Sequence, residues 1–249
     1  TEMPPKSLNQ KIKRFLYIQE KRVLNITLAC LVIPVIAIGA QNSNQHASVK
    51  KTDNGVEVVT KEHRKMFFEF YRPNIFRLYS DPKGSAPQDP ITTPPAKIVV
   101  SSAKDNQINP SFREDENNIY ISSEAVKISF SKSKSTFSII DLKTGKVVLK
   151  ELSPLQYNNK GVTQTLSSSP NEYFYGGGSQ NGRFSHKGQC INIVNENDWL
   201  DGGVASPNPF FWSTNGYGIL RNTFSKGYYD FGKNENNAIA LSHEGDLFD

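Results

Sequence analysis

Cysteine is nearly missing from this chain, with two in 249 residues. Cys30 sits inside an apolar stretch near the N-terminus, which leaves Cys190 as the only thiol in the rest. One thiol closes no intrachain bridge, so a packed core and not a set of staples must hold the fold. Histidine is also scarce: His46, His63, His186 and His243. No two have the spacing of a metal-ligand pair. His186 and Cys190 are two groups where a structural zinc needs four, so no metal is expected. A helical repeat is lacking too, because nowhere after the N-terminal region do ten residues repeat with a 3.6 period.

An excess of positive charge over the body of the chain is likewise absent. The overall charge is +5, but residues 1–22 hold Lys6, Lys11, Lys13, Arg14, Lys21 and Arg22 against Glu2 and Glu20. That segment contributes +4 and leaves only +1 for the rest, so nucleic acid is not an expected partner. The basic segment runs into VLNITLACLVIPVIAIGA, residues 23–40, and then into a polar stretch. Residues 1–40 read as a basic n-region and signal peptide, with cleavage expected after Ala40 although Ile38 is bulky for the −3 position. The alternative is an uncleaved anchor, which Asn25, Thr27 and Pro34 all weaken. Both readings place the folded part outside the cytoplasm, in the periplasm or beyond, with membrane contact only if the anchor persists. The "TLAC" around Cys30 lacks the context of a lipid-attachment site, since the apolar run continues past it. Thr1 is not an initiator, so either Met3 starts the protein or the chain is a piece of a longer one.

What is present is β pattern. Residues 41–54 read as a polar linker. GVEVV (55–59), FFEFY (67–71), IFRLY (75–79) and KIVVSS (97–102) are strand candidates around a proline-rich surface connection at 81–96. From 117 to 152, Ile119/Ile121, Val126/Ile128/Phe130, Phe137/Ile139 and Val147/Leu149 each alternate with period 2. The connection LKTG (142–145) places Gly145 where a left-handed residue is wanted. Strand signals every 8–12 residues without helices predict an all-β, antiparallel β-sandwich over residues 55–249.

The stretch YFYGGGSQNGRFSHKG from Tyr173 holds the candidate site. A phosphate loop needs a helix after its glycines; here Asn181-Gly182 follows and no helix pattern does, so phosphate and dinucleotide cofactors are excluded. The glycines instead mark a backbone that passes close to something, with Gln180, Asn181, Arg183 and His186 alongside. Residues 191–232 are dense in Asn, Asp, Trp, Phe and Tyr. Amides and carboxylates that bond hydroxyls, with rings that stack on sugar faces, suit a polyol ligand. The same residues also serve as core and turns, and composition does not choose between these roles.

The order of these residues adds more. Glu172, Phe174, Tyr175, Gly176 and Gly178, then "HKGQCINIVNENDW", then Pro209-Phe210, Tyr217-Gly218 and Tyr229-Asp230-Phe231-Gly232 resemble the N-terminal domain of glycoside hydrolase family 31. "FSIIDLKTGKVVL" is similar to a hairpin of that family. The resemblance covers about 55–249 and implies a galactose-mutarotase-like sandwich packed on a catalytic (β/α)8 barrel. In that family the barrel carries both catalytic aspartates, a nucleophile and an acid/base, with retention of the α configuration. Neither can be placed in this chain, which is therefore expected to be inert alone. "HEGDLFD" looks like the approach to the barrel.

The resemblance further implies that a loop of the sandwich closes sugar subsites. Asp198 in "NENDW" matches the residue that bonds a sugar hydroxyl, with Glu196 and Asp201 as competitors. Trp199 is a stacking platform or a core ring, and Asn181, Arg183 and His186 are candidates for the same rim. "GGGSQNGRFSHKG" departs from the plainer turn of many α-glucosidases. That departure points away from glucose, toward a sugar such as an N-acetylated galactoside. The expected ligand is an α-linked glycoside or oligosaccharide. A stand-alone sugar-binding or structural sandwich is the competing reading, and a mutarotase a distant third.

Overall fold

The computed structural model describes residues 47–53, 55–99, 108–180, 184–194 and 204–249. The leader or anchor expected over residues 1–40, with Cys30, lies outside them. Among the described residues no helix is long and apolar enough to cross a membrane.

The described residues open with four strands paired in sequence order: β1 (Ser48–Thr52), β2 (Gly55–Val59), β3 (Lys65–Arg72) and β4 (Ile75–Tyr79). A five-stranded meander follows: β5 (Ser111–Glu114), β6 (Asn118–Ser122), β7 (Val126–Ser131), β8 (Thr136–Asp141) and β9 (Val147–Lys150). The next sheet is built from distant segments, β10 (Gln156–Asn158), β11 (Gly161–Ser167), β13 (Cys190–Ile193), β16 (Gly227–Asp230) and β17 (Ala238–His243), in the order β10-β11-β17-β16-β13. Finally β12 (Phe174–Gln180), β14 (Val204–Ser213) and β15 (Tyr217–Leu220) form a three-stranded sheet in the order β12-β14-β15. Every pairing among the described residues is antiparallel.

The period-2 segments become strands because alternation gives each one dry face. Ile119 and Ile121, Ile128 and Phe130, and Phe137 and Ile139 all point into one core. Burial of each such side chain contributes about 1.5–3 kcal/mol. Phe68 of β3 meets Phe137 of β8 edge-on at 5.7 Å, joining the first two sheets. Phe174 and Phe211 contact Phe231, which follows β16, at 5.0 and 5.1 Å, joining the last two. At the β8–β9 turn Gly145 has φ +70° and donates its N–H to the Asp141 carbonyl at 2.8 Å.

Two sequence expectations need correction. The polar segment read as a linker to residue 54 contains β1, which pairs fully with β2. Its exposed Lys50 and Lys51 are what protects an edge strand, and they disguise it as linker. Residues 97–99 of the candidate strand KIVVSS lie in no strand, and 100–102 lie outside the described residues. The ladder is taken up instead by β5, whose four side chains are all exposed and which therefore shows no hydrophobic pattern.

Candidate functional site

Three successive left-handed glycines shape β12: Gly176, Gly177 and Gly178, with φ +109°, +74° and +83°. The register against β14 shifts between Gly176 and Gly178, so the run is a β-bulge. A Cβ on Gly176 would stand 2.7 Å from the Phe210 carbonyl oxygen, and one on Gly178 only 2.0 Å from that of Ser206. On Gly177 it would meet Ile191 Cδ1 at 2.6 Å. The backbone does pass close to something, and that something is the chain itself.

The polar groups around the run serve the same bulge. Gln180 Nε2 donates to the Gly177 carbonyl at 2.7 Å. His186 is 2% exposed and stacks on Phe231 at 5.5 Å. Its Nε2 lies 2.7 Å from the Gly176 carbonyl, which can only accept, so Nε2 carries the proton. Its Nδ1 has no partner among the described residues. Glu172 is buried, taking the Ser213 hydroxyl at 2.5 Å and the Ser169 N–H at 3.0 Å, which pins β12 to the end of β14. Asp230 accepts from the N–H groups of Gly232, Lys233 and Asn234 at 3.0, 2.7 and 3.2 Å and closes the turn after β16. The motif residues are scaffold.

Side chains that look outward on this sheet are of a different kind. Tyr175 stacks on its cross-strand partner Trp212 at 4.5 Å, and Phe184 meets Tyr175 edge-on at 5.5 Å. Trp212 is 46% exposed and Phe184 90%. Phe210, two residues from Trp212, pairs with Leu220 of β15, and both are exposed. Together these five side chains make an apolar ribbon across three strands, with the buried Phe211 and the partly buried Tyr217 behind it. An exposed patch of this kind marks a contact surface. Sequence reasoning missed it; the unbroken apolar run Phe210-Phe211-Trp212, which signals a strand covered on both faces, was the available clue.

Gln180 and Val204 are cross-strand partners at one end of this sheet. Of the expected site residues, His186 stands below the surface, whereas Asn181, Arg183, Asp198 and Trp199 lie outside the described residues. So do the competing Glu196 and Asp201. Among the described residues no three His, Cys, Asp or Glu side chains group to hold a metal.

The C-terminal residues are strapped to the sandwich. Arg77 grips the Asp249 carboxylate through Nε and Nη2 at 2.7 and 2.5 Å, and Asn222 Nδ2 adds a third donor at 2.7 Å. Burial alone would lower the Arg77 pKa, but the Asp249 carboxylate outweighs it and holds Arg77 above its ordinary value. Arg221 lies over the Phe248 ring at 3.9 Å and donates Nε–H to the Asp249 carbonyl at 2.9 Å. The chain therefore reaches Asp249 in a fixed place and direction.

Comparison with known proteins agrees with this architecture. No curated protein sequence matches the chain. Solved structures do. A glycoside hydrolase family 31 dextranase from Flavobacterium johnsoniae, complexed with isomaltotriose, superposes with a TM-score of 0.71 at 18% identity. That match covers 81% of this chain and 25% of the dextranase. A cycloalternan-forming enzyme from Listeria monocytogenes, in complex with a pentasaccharide substrate, gives 0.67 at 14%, covering 82% and 20%. A family 31 α-xylosidase from Xanthomonas citri gives 0.59 at 23%, covering 73% and 20%. The chain thus spans a quarter or less of the length of these three enzymes, and at such identities the likeness is one of fold. The family model for the glycosyl hydrolase 31 N-terminal galactose mutarotase-like domain matches residues 65–230, most of the chain. With that match running from β3 through the glycine bulge to Asp230, the chain belongs to the glycoside hydrolase family 31 N-terminal, galactose-mutarotase-like domains.

Proposed function

We propose that this domain forms one wall of the sugar cleft of a longer, exported, retaining α-glycosidase, and that its aromatic ribbon seats the catalytic (β/α)8 barrel of that enzyme. The observation that carries the reading is the ribbon of Tyr175, Phe184, Trp212, Phe210 and Leu220, uncovered in the described residues. It lies on the same sheet as the paired Gln180 and Val204, where the two polar segments attach. A sheet face this apolar is unfavourable in water and calls for a partner. The segments at its end contain the amide, guanidinium, carboxylate and indole groups that a polyol needs. In this reading Asp198 binds a sugar hydroxyl, Trp199 stacks on a sugar face, and Asn181 and Arg183 line the same rim. His186 supports them from below by fixing the bulge. The similar dextranase complexed with isomaltotriose and the cycloalternan-forming enzyme with its pentasaccharide support an α-linked glycoside as ligand.

The two carboxylates of a retaining mechanism must flank the scissile bond about 5–5.5 Å apart. Glu196, Asp198 and Asp201 lie on one short segment and cannot straddle a sugar. The chain by itself is therefore expected to be inactive, and release of nitrophenol from an aryl α-glycoside by the purified chain would defeat that expectation. In an enzyme that carries this domain, Asp198→Asn should raise KM by about tenfold, the value of one charge-assisted hydrogen bond. An unchanged KM would remove Asp198 from the rim.

A further inference from the structure

The sheet β10-β11-β17-β16-β13 has an outward face unlike the aromatic ribbon. One row of cross-strand partners runs over all five strands: Gln156 opposite Thr163, Thr163 opposite Ser242, Ser242 opposite Tyr228, and Tyr228 opposite Asn192. Their sequence neighbours Val162, Leu241, Tyr229 and Ile191 point the other way, into the core. The row is therefore solvent-facing, with Tyr228 41% exposed and Thr163 and Ser242 hydroxyls linked at 2.8 Å. Four strand spacings make it about 19 Å long. Beside it lies an open groove of about 390 Å³ that Asn158, Thr163, Asn192, Tyr228 and Ser242 share. The charged groups that line it, Lys160, Lys226 and Glu244, come in both signs.

From this juxtaposition we infer a second carbohydrate-binding surface, for an extended, uncharged polysaccharide chain, separate from the rim of the active-site cleft. Every member of the row except the tyrosine ring is a hydroxyl or an amide, able to give and take hydrogen bonds with sugar hydroxyls. Tyr228 adds a half-exposed ring on which a sugar face can stack. The row itself carries no charge, and the groove beside it has only two lysines and one glutamate, which suits a neutral polyol better than a polyanion. The groove is open and the row is long, which fits a chain passing over several strands better than one enclosed sugar. The two sheets meet through Phe174, Phe211, Tyr229 and Phe231, so this face looks away from the aromatic ribbon. Such a surface would hold a polymer near the cleft without taking part in its cutting. The inference rests on the reading that the domain belongs to an enzyme acting on carbohydrate, and it specifies how a polymeric substrate is retained.

Native gels cast with dextran or with soluble starch test it on the whole chain. The expected result is retardation by at least one of these polysaccharides. Tyr228→Ala should weaken it about tenfold, the size of one ring contact, and Tyr228→Phe, which keeps the ring, should preserve it. Tyr120→Ala, which removes a tyrosine from the outward side of β6, should leave it unchanged. No retardation of the wild-type chain by either polymer overturns the inference, as does retardation that Tyr228→Ala leaves intact. If Trp212→Ala abolishes retardation and Tyr228→Ala does not, polymer is held at the aromatic ribbon; the second surface then falls while the rim reading stands.

Discussion

Glu151 offers a measurement in which the pH, and not the contact list, decides the outcome. It is 2% exposed, follows β9, and bridges to Leu166 of β11. One carboxyl oxygen takes the Gln164 amide at 2.7 Å and the other the Phe137 N–H at 3.3 Å. Burial outweighs both bonds and pushes its pKa from 4.5 up to about 8. At pH 7 the folded chain therefore holds a proton that the unfolded chain has released. Loading that proton costs about 1.4 kcal/mol for each pH unit above 4.5, or about 3 kcal/mol at pH 7. Because the folded pKa is the higher one, the associated stability is complete below about pH 4.5 and is lost as pH rises toward 8. Glutamine has nearly the same shape and no proton to load. If the Gln164 amide turns round, it can accept from the new side-chain N–H while the new oxygen still takes the Phe137 N–H.

Glu151→Gln should thus stabilise the chain by about 2–3 kcal/mol at pH 7 and by almost nothing at pH 4. With a urea slope of about 1–3 kcal/mol/M, the midpoint should move up by about 1 M or more at pH 7 only. Equal midpoint differences at the two pH values would refute the reasoning. His243 supplies the opposite limb. Burial, helped by the charge of Arg221, depresses its pKa from 6.5 to about 4, while its Nε2 lies 2.8 Å from the Tyr229 hydroxyl. A depressed imidazole gives stability above about pH 6.5 that is lost as pH falls toward 4. The two slopes oppose each other between about 4.5 and 6.5, so these groups centre maximal stability there.

Gly178→Ala should cost at least about 3 kcal/mol, because a positive-φ penalty adds to a Cβ placed 2.0 Å from the Ser206 carbonyl oxygen. Gly145→Ala shares the left-handed backbone but meets nothing within 4 Å, and should cost only about 1–2 kcal/mol. Equal drops in melting temperature would show that the close approach of β12 to β14 carries no weight. Arg77→Met strips the buried Asp249 carboxylate of its bidentate partner and should destabilise by about 3–5 kcal/mol. Adding Asp249→Asn should recover part of that loss in thermal melts, and no recovery would mean that Arg77 acts by packing alone.

Period 2 made β2 and β6 to β8 legible, because each buries one face more than the other, whereas β4 and β9 were legible only as short apolar runs. β1 and β5 were not, since edge strands that bury little carry no alternation to read. The insertion of β17 between β11 and β16 was also hidden. It joins residues some eighty positions apart, and no local signal encodes such a pairing. At the site, the glycines announced a close approach but not its partner, for the same reason: Gly178 meets Ser206 across a long excursion of chain. Gln180 and His186 read as surface polar groups, yet both are committed to glycine carbonyls inside the bulge. Residue type alone does not distinguish an inward polar side chain from an outward one; only strand direction does.

This division of labour bears on what the family assignment can mean. Glu172 fastens β12 to Ser213, Gly176 and Gly178 admit the backbone of β14, and Asp230 closes a turn. None of these four presents a side-chain polar group to solvent in a way that could recognise a sugar. Glu172, Gly176, Gly178 and Asp230 of the family pattern therefore hold the chain to itself, whereas Tyr175 and Phe210 of the same pattern belong to the outward ribbon. In the proposed reading, what this domain adds to discrimination among sugars comes from other side chains than these four. The candidates the sequence offers are residues 181–183 and 195–203, with Asp198 first among them. A substitution there should change which glycoside binds while leaving the melting temperature alone, whereas a change at Glu172 or Gly178 should do the reverse.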